Sequence, residues 1–142
     1  MKRLIIGYGN PLRGDDAFGY RAAEFLREEN ADPEVEILPV HQLTPELADR
    51  IARASSVVFI DAAVGETPGE LLKRDVQPDA TGDPFTHQAT ASALLFAAQA
   101  LYGRVPPATL ITVTAANLDF GRPLSPPVQE ALDNLLSTFM KV

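Results

Sequence analysis

Short apolar runs alternate with amphipathic stretches from one end of this chain to the other. Arg3 to Gly7 (RLIIG) is an apolar run stopped by glycine, which reads as a buried first strand. A helix is expected from Asp15 or Asp16 to about Asn30, with Phe18, Ala22, Phe25 and Leu26 at helical spacing. Val35 to Val40 reads as a second strand. Thr44 and Pro45 then suit the N-cap and first position of a helix, where the missing proline N–H costs nothing. Ser56 to Ala62 (SVVFIDA) is the most apolar run and is expected at the sheet centre. Gly69 to Val76 mixes charges among apolar residues after a Thr67-Pro68-Gly69 turn, as an edge strand does, and an antiparallel run is expected for it. A helix from Thr90 to Tyr102 ended by Gly103, a strand from Ala108 to Thr114 and a helix capped by Ser125-Pro126 complete the series.

Strands alternating with helices imply a three-layer α/β fold: a mostly parallel, twisted five-stranded sheet with helices on both faces. The 142 residues match one ordinary domain, so residues 1–142 are expected to form a single α/β domain. The net charge of -7 repels nucleic acid and anionic membranes, so neither is expected as a partner. The chain has no cysteine, which excludes disulfides, thiolate metal sites and a cysteine nucleophile. Leu4-Ile5-Ile6 is too short for a signal peptide, and no segment approaches the roughly 18 apolar residues of a membrane span. A cytoplasmic location is therefore expected.

Three places carry possible chemistry. The segment Gly7-Tyr8-Gly9-Asn10-Pro11-Leu12-Arg13-Gly14-Asp15-Asp16-Ala17-Phe18-Gly19 follows the first strand. It superficially resembles a dinucleotide fingerprint, but Leu12 stands where the third glycine belongs, and two acids would repel a pyrophosphate. Asp15 suits a helix N-cap and Asp16 a first-turn acid. Asp61 ends the apolar run Val57 to Ile60, at the strand edge where open α/β sheets bind ligands; it either caps the following loop or serves that site. His87 lies in the loop Asp83 to Gln88 and is one of only two histidines. Lone histidines are more often surface residues, but this loop is expected to face both acids. Two carboxylates and an imidazole make an open donor set for a borderline divalent ion. Asp16, Asp61 and His87 are thus expected to converge on one point. His41, after the second strand, would add a fourth ligand, bind substrate or simply sit in its loop. No G-x-S-x-G elbow, H-E-x-x-H helix or Walker loop is present.

Taken together, G-x-G-N-x-L-x-x-D-D followed by x-x-G, an apolar strand ending in Asp61-Ala62, the His87-Gln88 loop before a helix and Leu124-Ser125-Pro126 before the last one resemble the hydrogenase maturation endopeptidases. The resemblance runs from Leu4 to the final helix. It implies that Asp16, Asp61 and His87 bind nickel and carry catalysis, with Asn10 and Asp15 as loop-shaping or supporting groups. It further implies one cut in the precursor of a [NiFe] hydrogenase large subunit, removing a C-terminal extension after nickel insertion, with the nickel carried by the substrate. Some family members have glutamate at the position of Asp16, many have glycine at that of Ala17, and many have a glycine-rich loop where this chain has His41 to Thr44. The alternatives are a non-catalytic metal- or small-ligand-binding module of flavodoxin-like shape and, less favoured because of the glycine spacing, a nucleotide-binding domain.

Overall fold

The computed structural model describes residues 1–79 and 90–140 of the chain. Its elements are β1 (Arg3–Tyr8), a 3₁₀ turn (Gly14–Ala17), α1 (Phe18–Glu29), β2 (Val35–Val40), α2 (Leu47–Ala52), β3 (Ser56–Ala63), β4 (Leu71–Asp75), α3 (Ala91–Tyr102), β5 (Ala108–Thr114) and α4 (Pro126–Met140). The five strands form one sheet in the order β2-β1-β3-β5-β4. β1, β2, β3 and β5 are parallel, and β4 joins β5 antiparallel at the edge. Fold class and antiparallel edge strand therefore match the sequence reading.

Residue alternation along the strands divides the interior into two cores. Leu4 and Ile6 of β1, with Val57 and Phe59 of β3, point to the face covered by Leu47 and Ile51 of α2 and Leu94, Leu95 and Ala98 of α3. Ile5 and Ile60 point the other way, against Phe18, Ala22 and Leu26 of α1 and Val128, Leu132 and Leu135 of α4. A parallel strand buried on both faces needs apolar residues at successive positions, which is why RLIIG and SVVFI show no polar alternation. β4 has only one sequence neighbour in the sheet, and its residues after Leu71 are exposed.

Chain direction places the site. β1 pairs with β2 on one side and β3 on the other, so the first crossover leaves toward β2 while β3 lies on the opposite flank. The order reverses between β1 and β3, and the segments leaving these two strands open a crevice there. Glycines let the segments close. A Cβ on Gly7 would collide with the Gly19 carbonyl, and one on Gly19 with the carbonyls of Ile60 and Tyr8, so α1 starts directly against both strands.

Three local expectations need correction. Thr44 caps no helix: Thr44 and Pro45 form a turn in which their carbonyls accept from Leu47 and Ala48 N–H, and α2 begins only at Leu47. Phe25 is not a core residue of α1 but 49% exposed, because Ala22, Ala23 and Leu26 form the buried stripe. Asp15 is no helix cap either, since neither the 3₁₀ turn nor α1 has a side-chain cap. By contrast, the Thr90 hydroxyl accepts from Ala93 N–H at 3.1 Å, and left-handed Gly103 (φ 73°) ends α3.

Candidate active site

Asp15 and Asp16 are neighbours in a tight turn, so their side chains leave in different directions. Asp15 turns inward and is fully buried. Its carboxylate accepts from the Ala116 N–H (2.8 Å), the Asn117 N–H (2.9 Å), the Ser125 N–H (2.7 Å) and the Ser125 hydroxyl (2.8 Å). The Asp15 N–H also donates to the Asn117 carbonyl at 2.7 Å. Burial alone would raise the Asp15 pKa, but the donors from Ser125, Ala116 and Asn117 outweigh it and hold the carboxyl below its ordinary value. Asp15 thereby ties the turn after β1 to the segment joining β5 and α4. The Arg13 guanidinium adds a bond to the Leu118 carbonyl at 3.2 Å and lies over the Phe120 ring, and Gly121 N–H donates to the Leu12 carbonyl at 2.8 Å.

Asp16 faces the crevice and is half-buried. One of its oxygens accepts from the Asn10 N–H at 2.8 Å, and the Asn10 side chain accepts from the Leu12 N–H at 2.9 Å. Asn10 therefore shapes the loop that presents Asp16. Gly9 (φ 149°) fits here because a Cβ would meet the Asp16 carbonyl.

Asp61 lies two residues before the end of β3, opposite Thr112 of β5. Its Oδ1 accepts from the Ala62 N–H at 2.7 Å, and the Tyr8 hydroxyl, on the neighbouring strand and the same face, interacts with the same carboxylate. Burial pushes the Asp61 carboxyl up to about 7; the two donors pull it back, and the charge of Asp16 raises it further. That last effect places the two acids within electrostatic reach of each other across the β1–β3 crevice. Burial, then the charge and hydrogen bond of Asp61, raise the Tyr8 hydroxyl well above its ordinary value, while Arg74 of β4 acts in the opposite sense. Sequence reasoning missed Tyr8; its place in the parallel ladder beside β3 was the available signal.

His41 is exposed and makes an edge-on contact with Tyr20, ring centroids 5.2 Å apart. His87 lies outside the described residues. Among the described residues, no three histidines or acids gather closely enough to hold a metal ion. The structure thus brings Asp16 and Asp61 together, with Asn10 supporting the first and Tyr8 the second. A carboxyl whose pKa burial has pushed up, beside a second carboxylate, is suited to acid–base work and to holding a cation.

Among the described residues no helix is long and apolar enough to cross a membrane. A family model described as HycI, hydrogenase maturation protease, matches residues 20–142. The chain is 34% identical over 137 residues to the hydrogenase expression/formation protein HupD of Bradyrhizobium diazoefficiens, spanning 91% of this chain and 71% of that protein. Its fold is similar to a [NiFe] hydrogenase maturation protease HycI from Thermococcus kodakarensis, with a TM-score of 0.82, 26% identity and coverage of 99% of this chain and 90% of the other. It is equally similar to the hydrogenase maturating endopeptidase HybD from E. coli, with a TM-score of 0.81, 27% identity and coverage of 99% and 91%. A family model over residues 20–142 and a relative 34% identical along most of the chain make this protein a member of the hydrogenase maturation protease family.

Proposed function

We propose that this protease removes a C-terminal extension from the precursor of a [NiFe] hydrogenase large subunit once nickel has been inserted, reading the substrate's nickel through Asp16, Asp61 and His87. The observation that carries this reading is the pairing of Asp16 with Asp61, whose proton affinity is raised by burial and by the neighbouring charge. Two carboxylates held together in this way are relieved by a cation. The described donor set is only two carboxylate side chains, which leaves room for ligands from elsewhere. His87 stands four residues ahead of α3, the helix that covers the face to which Asp61 belongs by alternation. Family membership in a peptidase family weighs against a non-catalytic binding module.

In this reading, nickel held between the two proteins polarises the scissile carbonyl and a nearby water. Asp61 is suited to take a proton from that water, because a carboxyl titrating near 7 is a far stronger base than an ordinary aspartate and is still ionised in part at neutral pH. Asp16, half-buried beside it, supplies the second carboxylate for the positive charge. The Asn10 N–H fixes the Asp16 carboxylate by a hydrogen bond, and the Ala62 N–H fixes that of Asp61.

The decisive experiment incubates the protein with nickel-loaded and nickel-free precursor and follows the precursor mass. Loss of the tail from the nickel-loaded form alone is expected; equal cleavage of both would remove nickel from the recognition. With so few ligands and no thiolate, calorimetry should show only weak binding of free nickel to the isolated chain. A nanomolar affinity would instead point to a resident ion.

A further inference from the structure

β1 and β3 are neighbours in the sheet, with Gly7 opposite Ile60, so the next residues along the two strands are Tyr8 and Asp61. Leu4 and Ile6 on one strand, and Val57 and Phe59 on the other, face the core under α2 and α3. Tyr8 and Asp61 continue these two rows on the same face. The Tyr8 ring packs against that core, and a tyrosine with its ring wedged has little freedom left for its hydroxyl. Side by side on adjacent strands and on one face, the Tyr8 hydroxyl and the Asp61 carboxylate interact electrostatically. The Ala62 N–H holds Oδ1 at 2.7 Å, and a Tyr8 hydroxyl donating from the neighbouring strand gives the carboxylate a second anchor. Two such anchors would set both the plane of the carboxylate and the lone pairs left for the crevice.

We infer that Tyr8 is a positioning residue of this protease, clamping the Asp61 carboxylate through its hydroxyl so that one face of it is presented to the scissile bond. The inference rests on the reading of Asp61 as a catalytic residue. Groups that orient a reacting or ligating side chain typically matter by about 10–100-fold when removed, because a small misplacement of the reacting atom is enough.

The test is Tyr8→Phe, which deletes the hydroxyl and keeps the ring. With nickel-loaded precursor, kcat should fall by about 10–100-fold with KM little changed. The melting temperature should stay close to that of the parent, because the packing is kept. Unchanged kcat would overturn the inference, and so would a loss confined to KM, which would make Tyr8 a substrate contact. A second measurement works without substrate. Denaturant unfolding at pH 8 of the parent, Tyr8→Phe, Asp61→Ala and the double variant forms a cycle that reads the coupling between hydroxyl and carboxylate, because alanine leaves no acceptor at position 61. Coupling supports the clamp, and strict additivity refutes it. If the parent leaves the precursor uncut, the proposed function fails while the cycle still decides the role of Tyr8.

Discussion

Asp15 and Asp16 are consecutive residues with the same side chain, yet the structure gives them opposite surroundings. Asp15 is fully buried and meets four donors from the segment between β5 and α4. Asp16 accepts one N–H and faces Asp61 across the crevice. The first carboxylate has its charge compensated and its pKa lowered. The second sits in a pair in which the partner's pKa is raised. Donor supply decides what burial does: a buried charge met by donors holds structure together, whereas an under-satisfied pair is free to take up a proton, a cation or a substrate group.

The largest effects should fall on activity, at the open pair. Asp61→Asn keeps shape and removes the base, so cleavage of nickel-loaded precursor should drop by about 10²–10⁴-fold, the usual contribution of general base catalysis. Asp16→Asn should fall in the same range, with both variants folded by circular dichroism. Either variant cutting at the parent rate would break the contrast at its active end. At the closed end the loss should be in stability. Asp15→Ala leaves three N–H groups and a hydroxyl without their acceptor, at about 1–3 kcal/mol for each donor that water fails to reach. A net loss of about 3–5 kcal/mol is expected by denaturant unfolding, as for other broken buried charge networks. A loss near 1 kcal/mol, typical of a simple helix cap, would mean that the four bonds are replaced by water. Because the folded pKa of Asp15 is depressed, its contribution is present above the unfolded pKa and fades as pH falls through the folded value.

Much of this was legible in the sequence. Uninterrupted apolar runs in Leu4 to Ile6 and Val57 to Ile60 announced strands covered on both faces, and the charged run Glu70 to Asp75 announced an edge. The placement of Asp16 and Asp61 at one sheet edge followed from strand order. The role of Asp15 did not. Its partners are about 100 to 110 residues away in sequence, and local propensity gives an aspartate before a helix the reading of a cap. Tyr8 was hidden for a related reason: a hydroxyl aimed across a parallel ladder leaves no trace in spacing along its own strand. Thr44-Pro45 was misread because the same residues that start helices also make turns.

The finest distinction between the two regions is the pH dependence of stability. An aspartate in the unfolded chain ionises near 3.9, whereas folded Asp61 holds its proton to about 7. Between these values the folded state binds more protons than the unfolded one, so stability from this group falls as pH rises. The contribution is fully present below the unfolded pKa and is gone once pH passes the folded value. Asp61→Asn abolishes that titration. Any pH-independent change from refitting the amide against Ala62 and Tyr8 cancels when the difference between variant and parent is followed across pH. The melting temperature of Asp61→Asn relative to the parent should therefore climb from pH 5 to pH 8, by roughly 2–4 °C for each kcal/mol recovered in a domain of this size. Asp16→Asn should show a weaker version, because it removes only the neighbouring charge and leaves the burial of Asp61 in place. Asp15→Asn should do the reverse, losing most relative to the parent at the higher pH, where the parent's Asp15 is ionised and bound. Parallel melting profiles for the parent and Asp61→Asn would show that Asp61 titrates like an ordinary carboxylate, and the contrast between the two regions would then rest on geometry alone.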